Sequence, residues 1–408
     1  MRQEFLDAIA GLPRQFWIIV GGLFINSIGG SMILPFFTLY VSRRFALPMT
    51  GVGMLFVAFT VVGIFARGFG GAWADRFGRK RIMAASLAFS AFGLMGLALA
   101  DSLVAFLPAL IVFAFFNTMF QPANDAMIAD LVGEEKRQRA YSWQRVARNL
   151  GVSIGPAIGG FLAALSYLYS FSGAAIASML FCVIVLLLTR ETLPARPPRT
   201  ATTAPQQRGG YSQVVRDAPF VSTLVLFVLL ECAVAQTSTT LPVYMKNSFG
   251  LAEDKFGWVM TTNAGMVVGL QFLITLLAQR FPRLRVLALG AFFYAVGVGA
   301  FALATTFGGF IFDMALITIG EMLLFPAISA LTADFAPEHL RGRYMGLFAI
   351  ANGIGWGLGP VVGGALYDNF NPQFLWLVMA SFAFAATIGF AIAARVFPSR
   401  AQIPAAAS

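Results

Sequence analysis

Long apolar stretches alternate with short charged segments along the whole chain. Each stretch is long enough to cross a hydrocarbon core of about 30 Å as an α-helix. The pattern therefore predicts twelve transmembrane helices, six in each half, at residues 16–41, 50–73, 82–100, 103–128, 140–167, 170–189, 219–245, 255–279, 285–304, 306–332, 343–367 and 373–396.

The second half of the chain repeats the first at an offset of 204 residues. From Pro122 onward, 15 of 43 positions carry the same residue as the position 204 further along. An even number of spans per half gives both halves the same orientation, related by an axis along the membrane normal. This kind of duplication indicates a transporter whose substrate binds between the halves, near the bilayer midplane.

The repeat also predicts the domain organisation. We expect an N-terminal six-helix bundle at 1–189 and a C-terminal six-helix bundle at 218–408. The segment between them, 190–217, is rich in Pro, Gly, Thr and Gln, which is typical of a flexible linker.

Composition places the chain in lipid. It is 58% hydrophobic and 11% charged, with a mean hydropathy of +0.78, whereas soluble domains carry roughly 25% charged residues. The net charge of +10 does not indicate a nucleic-acid partner, because the 28 Lys and Arg residues are unevenly distributed. With a cytoplasmic N-terminus, 23 lie in cytoplasmic segments and the adjoining helix ends, four lie outside and Arg67 lies within span 2. This bias predicts a multi-pass protein of the bacterial inner (plasma) membrane with both termini in the cytoplasm.

Several function classes find no support in the sequence. The two cysteines lie inside predicted spans without metal-ligand neighbours, and no zinc, nucleotide-binding or nucleophile motif is visible. We therefore expect no enzyme, no catalytic residue, no metal and no cofactor, with a proton gradient rather than ATP as the energy source. A monomer suffices for a cavity formed within one chain.

The loop after the second span reads GAWADRFGRKR at residues 71–81. Gly78 permits a tight reversal, and the basic run holds the loop at the anionic inner leaflet. Asp75 is an acid among cations. It forms either a local salt bridge or a latch that caps the N-terminus of a helix in the other half.

This loop resembles the signature loop of the major facilitator superfamily, and the resemblance extends over all twelve spans. The matching positions are Gly71, Asp75, Arg76, Gly78, Arg79 and Lys80. The resemblance implies an all-α membrane protein with twelve transmembrane helices in two pseudo-symmetric six-helix bundles, the major facilitator fold. It also implies that these residues form a conformational switch, with the start of span 11, near Gly342–Gly346, as the partner of Asp75. The second copy of the loop departs from the pattern, since Gln279 and Pro282 replace the acid and the glycine.

Span 5 carries a glycine-proline motif. Glycines spaced by four form a smooth face for close helix packing, and the proline allows a bend. The motif serves packing alone, or it resembles the glycine-proline signature of superfamily antiporters, which exchange substrate against protons. Because it recurs in span 11, the two helices are candidates for a hinge or a seal between the halves. Its residues are Gly151, Gly155, Pro156, Gly159 and Gly160, and the equivalents in span 11 are Gly355, Gly359, Pro360, Gly363 and Gly364.

Two acids lie deep within predicted spans, Glu231 in span 7 and Glu321 in span 10. A charge at the bilayer centre costs about 2.5–3.5 kcal/mol, and a carboxylic acid avoids that cost by binding a proton. Each is either a hydrogen-bonded structural acid or a proton carrier. They resemble the membrane-embedded carboxylates of drug:proton antiporters in this superfamily. Asp313, outward of Glu321, is a weaker proton-coupling candidate that otherwise sits at the outer interface.

Other polar residues within the spans are candidates for the substrate cavity, because polar groups are costly against lipid. Asn117 pairs with Glu321 under the 204-residue offset. Asp125 in span 4 and the arginines at 145 and 148 in span 5 have two interpretations. They are either snorkelling charges with an ion pair or a polar cluster that faces the cavity. Many proton antiporters of the superfamily carry an arginine in span 4, and this chain has none at the equivalent stretch. The cavity candidates are Asn26, Asn117, Gln236, Asp125, Arg145 and Arg148.

Together these features favour a secondary transporter that exports lipophilic or cationic drugs in exchange for protons, with membrane lipid as its surroundings. Export or flipping of amphipathic metabolites or lipids is the main alternative function, because the two arginines of span 5 suit an anionic head group. A proton-coupled nutrient importer is a further alternative, which the antiporter-like glycine motif disfavours. A non-transporting receptor would lack measurable solute flux.

Overall fold

The structure is a computed structural model and describes residues 11–193, 211–337 and 340–397. Across these ranges the backbone forms helices and no strand. The helices are α1 Arg14–Phe45, α2 Met49–Phe77, α3 Arg79–Leu99, α4 Leu103–Leu131, α5 Glu134–Leu165, α6 Tyr167–Leu188, α7 Tyr211–Val215, α8 Ala218–Thr239, α9 Leu241–Phe249, α10 Glu253–Ala278, α11 Arg283–Ala300, α12 Phe307–Phe335, α13 Arg341–Asn369 and α14 Pro372–Val396.

Eleven of these helices are long and apolar enough to cross a membrane, in agreement with eleven of the expected spans. The remaining expected span, 140–167, corresponds to α5, whose first turns carry several charged residues. That twelfth crossing stays a prediction. The expected span 219–245 forms two helices, because Pro242 has no N–H to continue the helical hydrogen bonds and lies instead in the first turn of α9.

The helices form two compact units. The first unit contains α1, α3 to α6, and α2 from Ala58 onward; the second contains α7 to α14 together with the first turns of α2, up to Val57. The start of α2, which the sequence placed in the N-terminal bundle, thus packs in the second unit. Most of the expected linker lies outside the described residues, and the domain boundaries stay a prediction.

The core of the first unit lies where α1 packs on α5 and α6 and where α3 packs on α4 and α6. Its members include Phe16, Leu23, Met83, Met127 and Phe181, all buried. Large apolar side chains fill the spaces between helices, while other apolar side chains of the same helices stay exposed. Outward-facing apolar residues are expected of helices in lipid.

The core of the second unit is aromatic. Trp376 of α14 is fully buried, with its ring centroid 5.0 Å from that of Phe301 and 5.5 Å from that of Tyr244. Phe310 contacts both of these neighbours. This cluster joins α9, the end of α11, the first turn of α12 and α14.

Candidate functional site

Arg79, at the start of α3, is the centre of the signature loop. Its guanidinium makes a 3.0 Å ion pair with Asp75 and another 3.0 Å pair with Asp130 of α4. It also donates to the carbonyl oxygen of Ala74 at 3.0 Å. The local salt bridge expected for Asp75 is therefore present, and its carboxylate is 70% exposed. The latch role of Asp75 stays a prediction.

Glu191, just after α6, is a second residue that binds the signature loop. Its carboxylate accepts hydrogen bonds from the backbone N–H groups of Arg79 at 2.9 Å and Lys80 at 3.2 Å. These are first-turn donors of α3 with no partner inside the helix. The Lys80 ammonium donates to the carbonyl of Thr189 at 2.9 Å. Sequence reasoning assigned Glu191 to the linker and missed this contact, although an acid that directly follows span 6 was a signal.

Gly78 connects α2 to α3 with a positive φ of 106°. A Cβ at this position would also overlap the Glu191 carboxylate. Both the backbone conformation and the close approach of Glu191 therefore require glycine.

We expect Gly78→Ala to lower the free energy of unfolding by about 1–3 kcal/mol, the cost of a residue held in an unfavourable backbone conformation. Thermal unfolding of the purified protein in detergent measures this change. Gly71→Ala is the matched control in the same loop, since a Cβ there meets no heavy atom within 4 Å. Equal unfolding temperatures for the two variants would contradict the role given to Gly78.

The second unit has an arginine–aspartate pair equivalent to that of Arg79 and Asp130, but no equivalent of the acid Asp75. Arg283 forms an ion pair with Asp334 and donates to the carbonyl of Ala330 at 3.1 Å. Arg283 and Asp334 lie 204 positions after Arg79 and Asp130. The repeat thus preserves the arginine–aspartate pair, while Gln279 replaces the acid of the first copy.

The glycine motif of α5 packs against α1. A Cβ at Gly151 would lie 2.6 Å from the Cβ of Ser27, and Cβ atoms at Gly155 and Gly159 would overlap Ser31 and the Met32 backbone. Ser31 also donates to the carbonyl of Gly151 at 3.3 Å. Within the first unit, these glycines therefore permit close packing of two helices.

The second copy of the motif, in α13, packs against α8 in the same way. Its glycines contact polar or small residues of α8, since Cβ atoms at Gly355 and Gly363 would overlap Glu231 and Gln236. Gln236 is fully buried and donates to the carbonyl of Gly359 at 2.8 Å. Its amide oxygen accepts from the Thr240 hydroxyl at 2.6 Å. Gln236 thus connects α8 to α13 through its bond to Gly359. The role of Gln236 in the substrate cavity stays a prediction.

Glu231 is fully buried in α8. Neither carboxyl oxygen has a hydrogen-bond partner in the part of the chain that the structure describes. The indole of Trp356 lies beside the carboxyl without hydrogen-bonding geometry. An ionised carboxylate in such a place would be strongly unfavourable, so this site suits the neutral acid.

Glu321, on α12, has a partner that Glu231 lacks. Its carboxyl accepts a 2.6 Å hydrogen bond from the side-chain amide of Asn263 on α10. The same amide donates to the Thr318 hydroxyl at 3.0 Å. The sequence interpretation missed Asn263, although an amide inside an otherwise apolar span was the available signal. The two acids lie close enough in the second unit to interact electrostatically.

Asp313 lies on the same helix and is 5% exposed. One of its oxygens has no hydrogen-bond partner among the described residues. Its position at the outer interface and its part in proton coupling both stay predictions.

In the first unit, Gln121 connects two of the cavity candidates. Its amide donates to Asp125 at 2.7 Å, and its amide oxygen accepts from Arg148 at 3.0 Å. Arg145 is exposed and lies outside these bonds. The expected polar cluster thus includes Asp125 and Arg148, with Gln121 as a member that the sequence interpretation did not include. Asn117 is exposed and Asn26 is half-buried.

The sequence profile of the Major Facilitator Superfamily matches residues 19–252 and 237–407. The chain belongs to this superfamily. Membership makes it a transporter rather than an enzyme, and a multi-pass membrane protein. Solved structures agree on the fold: a POT family transporter in complex with a thioalcohol-conjugated peptide superposes with a TM-score of 0.79 at 14% identity, covering 96% of this chain and 98% of that one.

Three relatives from bacteria match most of the chain. The uncharacterized MFS-type transporter YttB of Bacillus subtilis (strain 168) is 28% identical over 90% of this chain and 91% of its own. A Na(+), Li(+), K(+)/H(+) antiporter of Planococcus maritimus is 27% identical over 84% and 87%. Multidrug resistance protein 1 of Bacillus subtilis (strain 168) is 24% identical over 86% and 89%.

Proposed function

We propose that this superfamily member is a proton-coupled secondary transporter that exports lipophilic or cationic drugs across the bacterial inner membrane by alternating access, with both termini in the cytoplasm. The observation that carries the proposal is the fully buried carboxyl of Glu231, which makes no hydrogen bond to the described residues and lies near a second acid, Glu321. The names of two relatives, a multidrug resistance protein and a cation/proton antiporter, support the same class.

The surroundings of the two acids give them different tasks. Glu231 makes no hydrogen bond to any residue that the structure describes, whereas Glu321 receives one from the Asn263 amide. Hydrogen bonds to a charged acceptor are about twice as strong as neutral ones, so Glu321 bears a negative charge at lower cost. Repulsion between neighbouring carboxylates opposes their simultaneous ionisation. The pair therefore retains a proton until a cationic substrate arrives or water reaches the site.

Efflux of lipophilic cationic dyes from cells that express the chain tests this proposal. We expect the dyes to leave the cells faster than from vector controls, and we expect a protonophore to abolish the difference. Wild-type protein that is well expressed but moves no dye would contradict drug export. That outcome would favour the exporter or flippase of amphipathic metabolites or lipids.

Exchange of monovalent cations for protons is a second candidate. The relative from Planococcus maritimus carries this activity in its name, and oxygen atoms of carboxylates and amides are the ligands that hard cations prefer. Everted membrane vesicles with a pH-sensitive dye would separate the two candidates. Proton release on addition of Na⁺ or K⁺, without any effect of lipophilic cations, would favour this candidate.

We expect Asn263→Ala to slow uncoupler-sensitive transport by about tenfold, because the bond from Asn263 to an ionised carboxylate contributes about 1.5–3 kcal/mol. Initial efflux rates at matched expression measure the effect. Thr318→Val is the control, since it removes the other acceptor of the same amide and leaves the Glu321 bond intact. Equal rates in the two variants would show that the bond to Glu321 has no special part in transport.

A further inference from the structure

The first turn of α2 is held by an acid from α13. One oxygen of the Asp368 carboxylate accepts from the backbone N–H of Met49 at 2.9 Å. The other accepts from the backbone N–H and the hydroxyl of Thr50, both at 2.7 Å. The first turn of α2 contains no acidic residue of its own. Asp368 thus supplies both the acceptors and the negative charge that a helix N-terminus favours.

Two glycines bring the backbones of α2 and α13 together beside this acid. A Cβ at Gly53 would lie 2.6 Å from the carbonyl oxygen of Pro360. A Cβ at Gly364 would overlap the backbone of Met49. Close approach of the two helices therefore accompanies the three hydrogen bonds, over the first two turns of α2.

The repeat shows that this contact belongs to one half only. The position equivalent to Asp368 in the first half is Ala164, 204 residues earlier. The helix equivalent to α2 is α10, which begins with its own acids, Glu253 and Asp254. The first turn of α10 therefore carries its own negative charge, whereas the first turn of α2 receives it from Asp368.

The chain enters the second unit through a strained residue. Ala46, between α1 and α2, has a positive φ of 50°, which is unfavourable for a residue with a Cβ. Ala46 is also the residue at which the chain passes from the first unit to the second, and α2 returns to the first unit at Ala58. Within the part of the chain that the structure describes, Asp368 forms no ion pair, so the start of α2 is its partner.

We propose that Asp368 is a positioning residue for transport, a releasable clamp that fixes the first two turns of α2 on α13. Release of the clamp frees these turns to follow the rest of α2, and clamping returns them to the second unit. The clamp forms and opens once in each transport cycle. This inference rests on the proposed alternating-access function, because only a cycling transporter needs the clamp to open.

Thiol labelling tests the clamp without any substrate. A Thr50→Cys variant, with Cys182 and Cys232 replaced by alanine, is reconstituted into liposomes and treated with a membrane-impermeant maleimide. We expect Asp368→Ala to raise the labelling rate on the order of fivefold, as for loss of a helix cap, and Asp368→Asn to give an intermediate rate because its amide oxygen still accepts. Asp101→Cys, an exposed position of the first unit, should label equally in all backgrounds. Equal labelling of Thr50→Cys in all three backgrounds would overturn the clamp.

Cross-linking then tests whether the clamp must open. In a Thr50→Cys and Asp368→Cys double variant, oxidation or a short bis-thiol reagent joins α2 to α13. We expect dye efflux to stop after cross-linking and to return after reduction, while either single variant is unaffected by oxidant. Cross-linked protein that still transports would show a static structural contact and overturn the proposal. Wild-type protein without dye efflux, but with labelling that depends on Asp368, would instead refute drug export and leave the clamp in place.

Discussion

Cells that express Glu231→Gln should lose uncoupler-sensitive dye efflux by a factor on the order of 100, equivalent to the cost of about 2.5–3.5 kcal/mol for charge in the membrane interior. The glutamine keeps the shape of the side chain and cannot exchange a proton. Because Glu231 is fully buried and makes no hydrogen bond among the described residues, the substitution removes no bond that holds the fold. Initial efflux rates, normalised to the amount of protein in the membrane, measure the loss. Glu321→Gln is expected to act in the same direction.

Glu253→Gln is the matched control for these variants. Glu253 lies at the start of α10 in the same unit and forms a 3.1 Å ion pair with Lys246. It belongs to a structural contact and should change transport little, since the glutamine retains a hydrogen-bond acceptor. Efflux that persists in both Glu231→Gln and Glu321→Gln would refute their role as proton carriers.

Gly159→Leu should prevent normal folding of the first unit. Even a single Cβ at Gly159 would overlap the backbone of Met32, which cannot rotate away as a side chain would. Insertion of extra atoms into a packed interface typically costs about 1–3 kcal/mol, and a backbone overlap lies at the upper end of this range. We expect a lower unfolding temperature in detergent and little protein in the membrane.

Gly30→Leu provides the comparison for this packing defect. Gly30 lies on the opposite helix of the same interface, α1, but is exposed and has no heavy atom within 4 Å of an added Cβ. It should fold like the wild type. A stable Gly159→Leu protein would show that α1 and α5 can separate at no cost, and the glycine motif would then need another explanation.

Hydrophobic patterning predicted most helices, because apolar length is a local property of the sequence. It was less informative for α5, whose first turns are charged, and for the span that divides before Pro242. In the second case Pro242 was visible in the sequence, but the polar residues before it, 236–240, carry no charge, so the apolar stretch was read as continuous.

Long-range partners were the part of the site that sequence could not provide. A local salt bridge was one of the two alternatives for Asp75, and its partner Arg79 is only four residues away in the sequence. Asp130 and Glu191 contact Arg79 from distant segments. The repeat offset pairs Asp130 with Asp334, but it does not indicate that each aspartate contacts an arginine. Nothing local in the sequence connects Asp368 with the start of α2.

Proton release on substrate binding tests the central claim most directly. A lipophilic cation is added to purified protein in weakly buffered detergent solution that contains a pH indicator. We predict the release of about one proton per bound cation for the wild type, and none for a Glu231→Gln and Glu321→Gln double variant that still binds the cation. Binding without proton release by the wild type would contradict the proposed coupling through these two acids.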